Sequence, residues 1–103
     1  MNPLRLPASL SALGPEELSS RFRAHLERSV FRDRYSTSAQ IAIADALTVD
    51  ERRAMETLIK EACDLFSQTE SYAERETVLQ ERAAWLSTED RRRLLSTAAY
   101  MMR

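Results

Sequence analysis

His25 and Cys63 are the most chemically reactive side chains in this sequence near neutral pH, and each type occurs once. A metal site would draw on Cys, His and carboxylates at fixed helical spacings, such as Glu-x-x-His or His-Glu-x-x-His. Neither run is present, and His25 and Cys63 fall on different predicted helices. Nucleophilic catalysis needs a base beside Ser or Cys and a donor pair for the developing oxyanion. Cys63 lies close to the apolar positions Ile59 and Phe66, where a thiol is inert packing material. His25 reads as a half-buried residue at the edge of an apolar stripe. Loops that cradle phosphate are built on glycine, and Gly14 is the only one. The acidic pairs Asp50/Glu51 and Glu89/Asp90 fall where a helix start favours negative charge, before any acid–base role. The expectation is a protein with no catalytic residue, no metal site and no cofactor.

Two kinds of non-covalent chemistry remain. The stretch 38–60 has the outline of a helix-turn-helix: a short Ala-rich helix, Leu47-Thr48-Val49, then a second helix. In that arrangement Asp50, Arg52, Arg53 and Glu56 face the major groove, with Arg52 and Arg53 as the DNA contacts. Three features oppose it. Thr48 stands where the turn usually has glycine, the reading helix is as acidic as it is basic, and the formal net charge is −1.

The other chemistry is protein recognition. Trp85 beside Arg91, Arg92 and Arg93 gives an aromatic and cations of the kind enriched at binding hot spots. Tyr100, Met101 and Met102 offer a second patch, since Met suits adaptable surfaces. The plainer alternatives are that Trp85 and the Met pair fill the core and that the Arg run is a solvated face.

The elements that must position these residues are helices. Residues 48–66, TVDERRAMETLIKEACDLF, carry the strongest signal. Thr48 followed by Glu51 is the capping-box spacing, and Met55, Leu58, Ile59, Ala62, Leu65 and Phe66 form one apolar stripe. An earlier helix begins at Gly14 or Pro15, with Glu16 and Glu17 in its first turn and Leu18, Phe22, Leu26 and Val30 inward. Residues 39–47 form a short helix, capped by Ser36, Thr37 or Ser38, with Ile41, Ile43, Ala46 and Leu47 apolar. Ser71 and Glu74 predict a second capping box and a helix over 72–86, with Trp85 and Leu86 on its buried side. Ser87 caps a last helix with Leu94, Leu95, Ala98, Met101 and Met102 inside. Residues 1–13 read as an extended arm laid over the helices through Leu4, Leu6, Leu10 and Leu13, or docked on a partner. LTVDERR at 47–53 also echoes LSTEDRR at 86–92. A two-unit repeat and two similar helix starts both explain it.

The expected architecture is therefore all-α: one compact, bundle-like domain of about five helices over 14–103, with an N-terminal arm over 1–13. The chain has 103 residues, 44% hydrophobic and 30% charged, enough for one core and too apolar for disorder. No apolar run reaches the length of a membrane span, and Pro3, Arg5 and Pro7 interrupt the start where a signal peptide is unbroken. One Cys excludes an internal disulfide and suits a reducing cytoplasm. All but one of the 15 basic residues are Arg, the exception being Lys60; GC-rich coding explains this bias and points to a bacterium or phage. The functional expectation is a non-catalytic, cytoplasmic helical module, an adaptor, chaperone-like factor or inhibitor that binds another protein or a second copy of itself as a homodimer. Nucleic acid is the less favoured partner, as a small helix-turn-helix regulator, and a membrane is not expected.

Overall fold

A computed structural model of the chain describes residues 3–102; Met1, Asn2 and Arg103 lie outside the described residues. Its longest element is α4 (Val49–Gln68), capped by Thr48. The Thr48 N–H donates to Glu51 Oε1 at 2.8 Å, and the Glu51 N–H donates back to Thr48 Oγ1 at 3.1 Å. Two of the four donors orphaned at a helix start are thereby satisfied. The stripe behind the cap is internal: Met55, Leu58, Ile59, Ala62 and Leu65 are buried, with Phe66 packed half-buried against them. At the far end Arg75 donates to Thr69 Oγ1 at 3.1 Å and to the Thr69 carbonyl at 2.8 Å. The same guanidinium lies 4.1 Å from the centre of the Phe66 ring, so one cation closes the helix end and covers its last aromatic.

Among the described residues five further helices accompany α4. They are α1 (Ala8–Ser11), α2 (Pro15–Phe31), α3 (Ser38–Ala46), α5 (Tyr72–Arg82) and α6 (Thr88–Met101). Among the described residues there is no strand. The apolar faces of α2, α4, α5 and α6 share one core containing Leu18, Phe22, Met55, Leu79 and Leu94. α3 packs chiefly on α2, whereas α6 packs on α4 and α5. The radius of gyration is 13.1 Å, close to the ~13 Å of a single domain of 100 residues. The protein is an all-α, single compact domain.

Several details differ from the sequence expectation, each for a local reason. The sixth helix is α1, a single turn inside the N-terminal arm, which is extended only as far as Pro7. That turn inserts Leu10, which is fully buried, while Leu4, Leu6 and Leu13 pack half-buried against the core. The arm is pinned where the Leu4 N–H donates to the Arg82 carbonyl at 2.8 Å. α5 stops at Arg82 rather than 86, and Ser71 makes no side-chain cap bond, so that capping box does not form. Ala83 and Leu86 are still buried, but from the connection between α5 and α6. Arg91 makes this connection tenable by donating to the Ala83 carbonyl, at 3.2 Å, and to the Leu86 carbonyl. In α3 the buried residue is Ala44, with Ile41 and Ile43 half-buried and Ala46 exposed. Met101 and Met102 are not interior: they continue the spacing of Leu94, Leu95 and Ala98, but the last turn of α6 is 46% and 52% exposed at those two positions.

Candidate interaction surface

Phe31, the last residue of α2, and Tyr100, in the last turn of α6, bring two helix ends together. Their ring centres lie 5.8 Å apart at an interplanar angle of 35°. Tyr35 meets the same Phe31 edge-on at 5.9 Å. Phe31 is half-buried beneath them, whereas Tyr35 is 70% and Tyr100 58% exposed. Met101 and Met102 follow Tyr100 directly and are also exposed, so this end of the molecule presents aromatic rings and thioethers with much of their surface in water. Single exposed apolar residues are ordinary, but a contiguous group at one site is the mark of a surface that meets a partner.

The turn that carries Tyr35 is held in an unusual conformation. After Phe31 the backbone passes through two left-handed residues that are not glycine, Arg32 at φ 52° and Asp33 at φ 62°. The Arg32 N–H donates to the Arg28 carbonyl at 3.2 Å, an ordinary helical span. The Asp33 N–H spans two residues more, to the Glu27 carbonyl at 3.4 Å, so the last carbonyls of α2 are satisfied by a left-handed stop. Side chains fix the rest. Arg28 bridges Asp33 at 3.0 Å and Asp45 of α3 at 2.6 Å, and the Tyr35 N–H donates to Glu27 Oε1 at 3.1 Å. Left-handed geometry at a non-glycine residue is uncommon, and here four charged side chains over-determine it.

Trp85 precedes α6 and the arginine run lies in its first half, on the order of 10–13 Å along the helix from Tyr100 at 1.5 Å rise per residue. Trp85 is half-buried and meets Phe22 edge-on, with ring centres 6.3 Å apart. Its indole N–H is buried without a hydrogen-bond partner. The three arginines have internal duties. Arg91 ties down the α5–α6 connection, Arg92 donates to Glu76 at 3.1 Å, and Arg93 lies 3.6 Å from Glu89. The structure thus separates the sequence candidates into two groups. Tyr100, Met101 and Met102 gather with Phe31 and Tyr35 at one end, and Trp85 with Arg91–Arg93 braces the other. Arg52 and Arg53 are exposed at the start of α4, alongside the exposed carboxylates Asp50 and Glu56. α3 packs on α2 more than on α4, so 38–60 is two helices in sequence rather than a closely packed pair.

The reactive side chains sit elsewhere. His25 is 2% exposed, with Nε2 3.0 Å from Ser29 Oγ and Nδ1 buried without a partner. Burial holds its pKa below the ordinary histidine value, with Arg52 and Arg28 acting in the same direction and Glu56, 3.8 Å away, opposing them. Burial pushes the Cys63 thiol up, away from the thiolate form that reacts. Among the described residues no three His, Cys, Asp or Glu side chains gather to hold a metal ion. Nor is any helix there long and apolar enough to cross a membrane. An open groove of about 550 Å³ between α2 and α3 is lined by Glu16, Glu17, Ser20, Arg21, Ala42, Ile43 and Ala46. Ser20 is the one nucleophile type lining it, with no histidine or thiol beside it.

Phe31 and Tyr35 were invisible as site residues in the sequence, because Tyr35 follows a polar run and Phe31 is off the Leu18–Phe22–Leu26–Val30 stripe. The available signal was the pairing of aromatics at 31 and 35 with the left-handed stop between them. Comparison of the chain with protein-family models, with curated proteins and with solved structures finds no match.

Proposed function

We propose that this protein is a non-catalytic helical interaction module that binds another protein through the end built from Phe31, Tyr35, Tyr100, Met101 and Met102. The observation that carries this reading is the cluster itself: aromatic rings stacked on one another yet open to solvent, at the junction of two helix ends. Aromatics supply large contact area for few rotatable bonds, and methionine adapts to the shape it meets. An adaptor or inhibitor needs both. The buried, neutral His25 and the half-buried Cys63 fit packing roles in such a module. The compartment belongs to the same proposal, with the cytoplasm as the setting in which a lone thiol persists.

Affinity purification of the full chain from its native host tests this. The wild type should bring down one stoichiometric partner, and the double variant Tyr35→Ser/Met101→Ser should lose it while keeping the wild-type melting temperature. A wild type that elutes as a clean monomer with nothing bound, or a double variant that keeps the partner, would contradict it.

A further inference from the structure

The apolar end is flanked by two cations that make no ion pair among the described residues. Arg32 and Arg34 are exposed in the turn between Phe31 and Tyr35, and among the described residues neither guanidinium makes a hydrogen bond or ion pair. Several other arginines are tied to carboxylates, Arg23 to Asp90 at 2.8 Å, Arg28 to Asp45 at 2.6 Å and Arg82 to Glu61 at 2.6 Å. Arg52 and Arg53 are exposed like Arg32 and Arg34, but at the start of α4 beside Asp50 and Glu56 and away from this apolar end. The acids of the turn are already engaged, Asp33 by Arg28 and Glu27 by the Tyr35 backbone. The backbone adds an independent observation. Arg32, like Asp33 after it, occupies a left-handed position where glycine would sit without strain, so a charged side chain is present where local geometry favours removing it. Strain held in place by surrounding bonds is a recurring property of binding sites.

Resting on the interaction-module reading, we infer that this end receives an acidic peptide segment of the partner. One or more large apolar residues of that segment seat on Phe31, Tyr35 and Tyr100, and flanking carboxylates pair with Arg32 and Arg34. Guanidinium forks suit carboxylates because both are planar and can bond in parallel. A second copy of this chain fits less well. A two-fold interface sets each patch against a copy of itself, bringing four exposed arginines into one interface where Glu27 of each copy is the turn acid not already in an ion pair. A nucleic acid strand fits less well too. Two cations on a protein of net charge −1 replace few counterions.

The test is selection of 16-residue peptides from a random displayed library against the immobilised full chain. Enriched peptides should carry Asp or Glu beside Phe, Leu, Trp or Met, and in amide NMR spectra they should perturb residues 31–35 and 98–102. Arg32→Glu/Arg34→Glu should weaken those peptides about tenfold or more. Arg32→Gly/Arg34→Ser, which removes the charges while relieving the backbone, should weaken them as well. Selection of neutral or basic peptides that still map to Tyr35 and Tyr100 would overturn the acidic partner and leave the interaction module standing. Peptides that map elsewhere, or no enrichment at all, would overturn both. A concentration-dependent dimer whose interface maps to this end, or single-stranded DNA binding there more tightly than the peptides, would overturn the inference in favour of those occupants.

Discussion

The carboxylate of Asp90, buried completely at the start of α6, accepts a hydrogen bond from Arg23 Nε of α2 at 2.8 Å. Ser19, one turn earlier on α2, donates to the other oxygen. Glu51 holds the same station in α4, three residues after its cap and buried, and Arg21 of α2 lies 4.0 Å away. LTVDERR and LSTEDRR are thus one device used twice: a buried leucine, a capping hydroxyl, and an inward acid three residues on that an α2 arginine meets. Asp90 should be the more sensitive of the two to loss of its partner. Arg23→Met leaves the buried carboxylate with the Ser19 hydroxyl as donor and Arg93 4.0 Å away as its remaining cation, and should destabilise by about 3 kcal/mol. Asp90→Asn keeps the shape and an acceptor and should cost about 1–2 kcal/mol. Urea unfolding of both variants checks the order.

Capping bonds should separate three hydroxyls that look alike in sequence. Thr48 and Ser87 accept from the backbone N–H groups of Glu51 and Asp90 at 3.1 Å each, whereas Ser71 accepts nothing as a cap. Thr48→Ala and Ser87→Ala should each lower stability by about 1 kcal/mol. Ser71→Ala should stay within about 0.5 kcal/mol of wild type. Thermal melts of the three single variants decide this.

Stability should fall as pH drops below neutral, first through His25. Burial holds its folded pKa below the ordinary value of 6.5. Above 6.5 both folded and unfolded chains are neutral there; below it the unfolded chain takes up a proton that the folded chain refuses. The penalty grows from that pH downwards, at no more than about 1.4 kcal/mol per pH unit, until the folded pKa is reached. Asp90 and Glu51 enter only in stronger acid. Burial raises the Asp90 carboxyl, but Ser19 and Arg23 together hold it below the ordinary carboxylate value. The backbone bond from Thr48 is the largest influence holding Glu51 low. Their stabilisation is present above the ordinary carboxylate range and is lost as pH falls through their lowered values. Chemical denaturation from pH 7.5 to 5 should show a decline in the wild type that His25→Gln largely abolishes.

The left-handed turn predicts a gain in stability. Arg32→Gly relieves a non-glycine residue at φ 52° and should stabilise by about 0.5–1 kcal/mol. The greater backbone freedom of glycine in the unfolded chain makes the lower end the better figure. Equilibrium unfolding, together with binding of the selected acidic peptides, should show the variant more stable and weaker in binding.

Much of the helical framework was legible because it rests on local rules. The Leu18–Phe22–Leu26 and Met55–Leu58–Ala62 stripes mark helices by spacing alone, and Thr48 announces its own box. The missed features depend on what faces what. Asp90 stands one turn before Leu94, and Glu51 one turn before Met55, so both acids lie on the buried stripe. Spacing shows that much, but not the α2 arginines that make such burial tolerable. The early end of α5 depends on Arg91 reaching back to two carbonyls, a contact no local pattern encodes. Met101 and Met102 follow an apolar spacing whose last turn is left uncovered. The candidate surface was therefore half visible: its α6 members stood out by residue type, whereas Phe31 and Tyr35 became part of it only when two helix ends met.

The most direct measurement is site-specific photocrosslinking in the native host. A benzophenone side chain replaces Tyr100 in one version of the chain and Lys60, on the exposed side of α4, in the other. A single protein crosslinked through position 100 and absent at position 60 is the predicted result. The same adducts at both positions, or adducts at 60 alone, would contradict an interaction surface at the junction of α2 and α6.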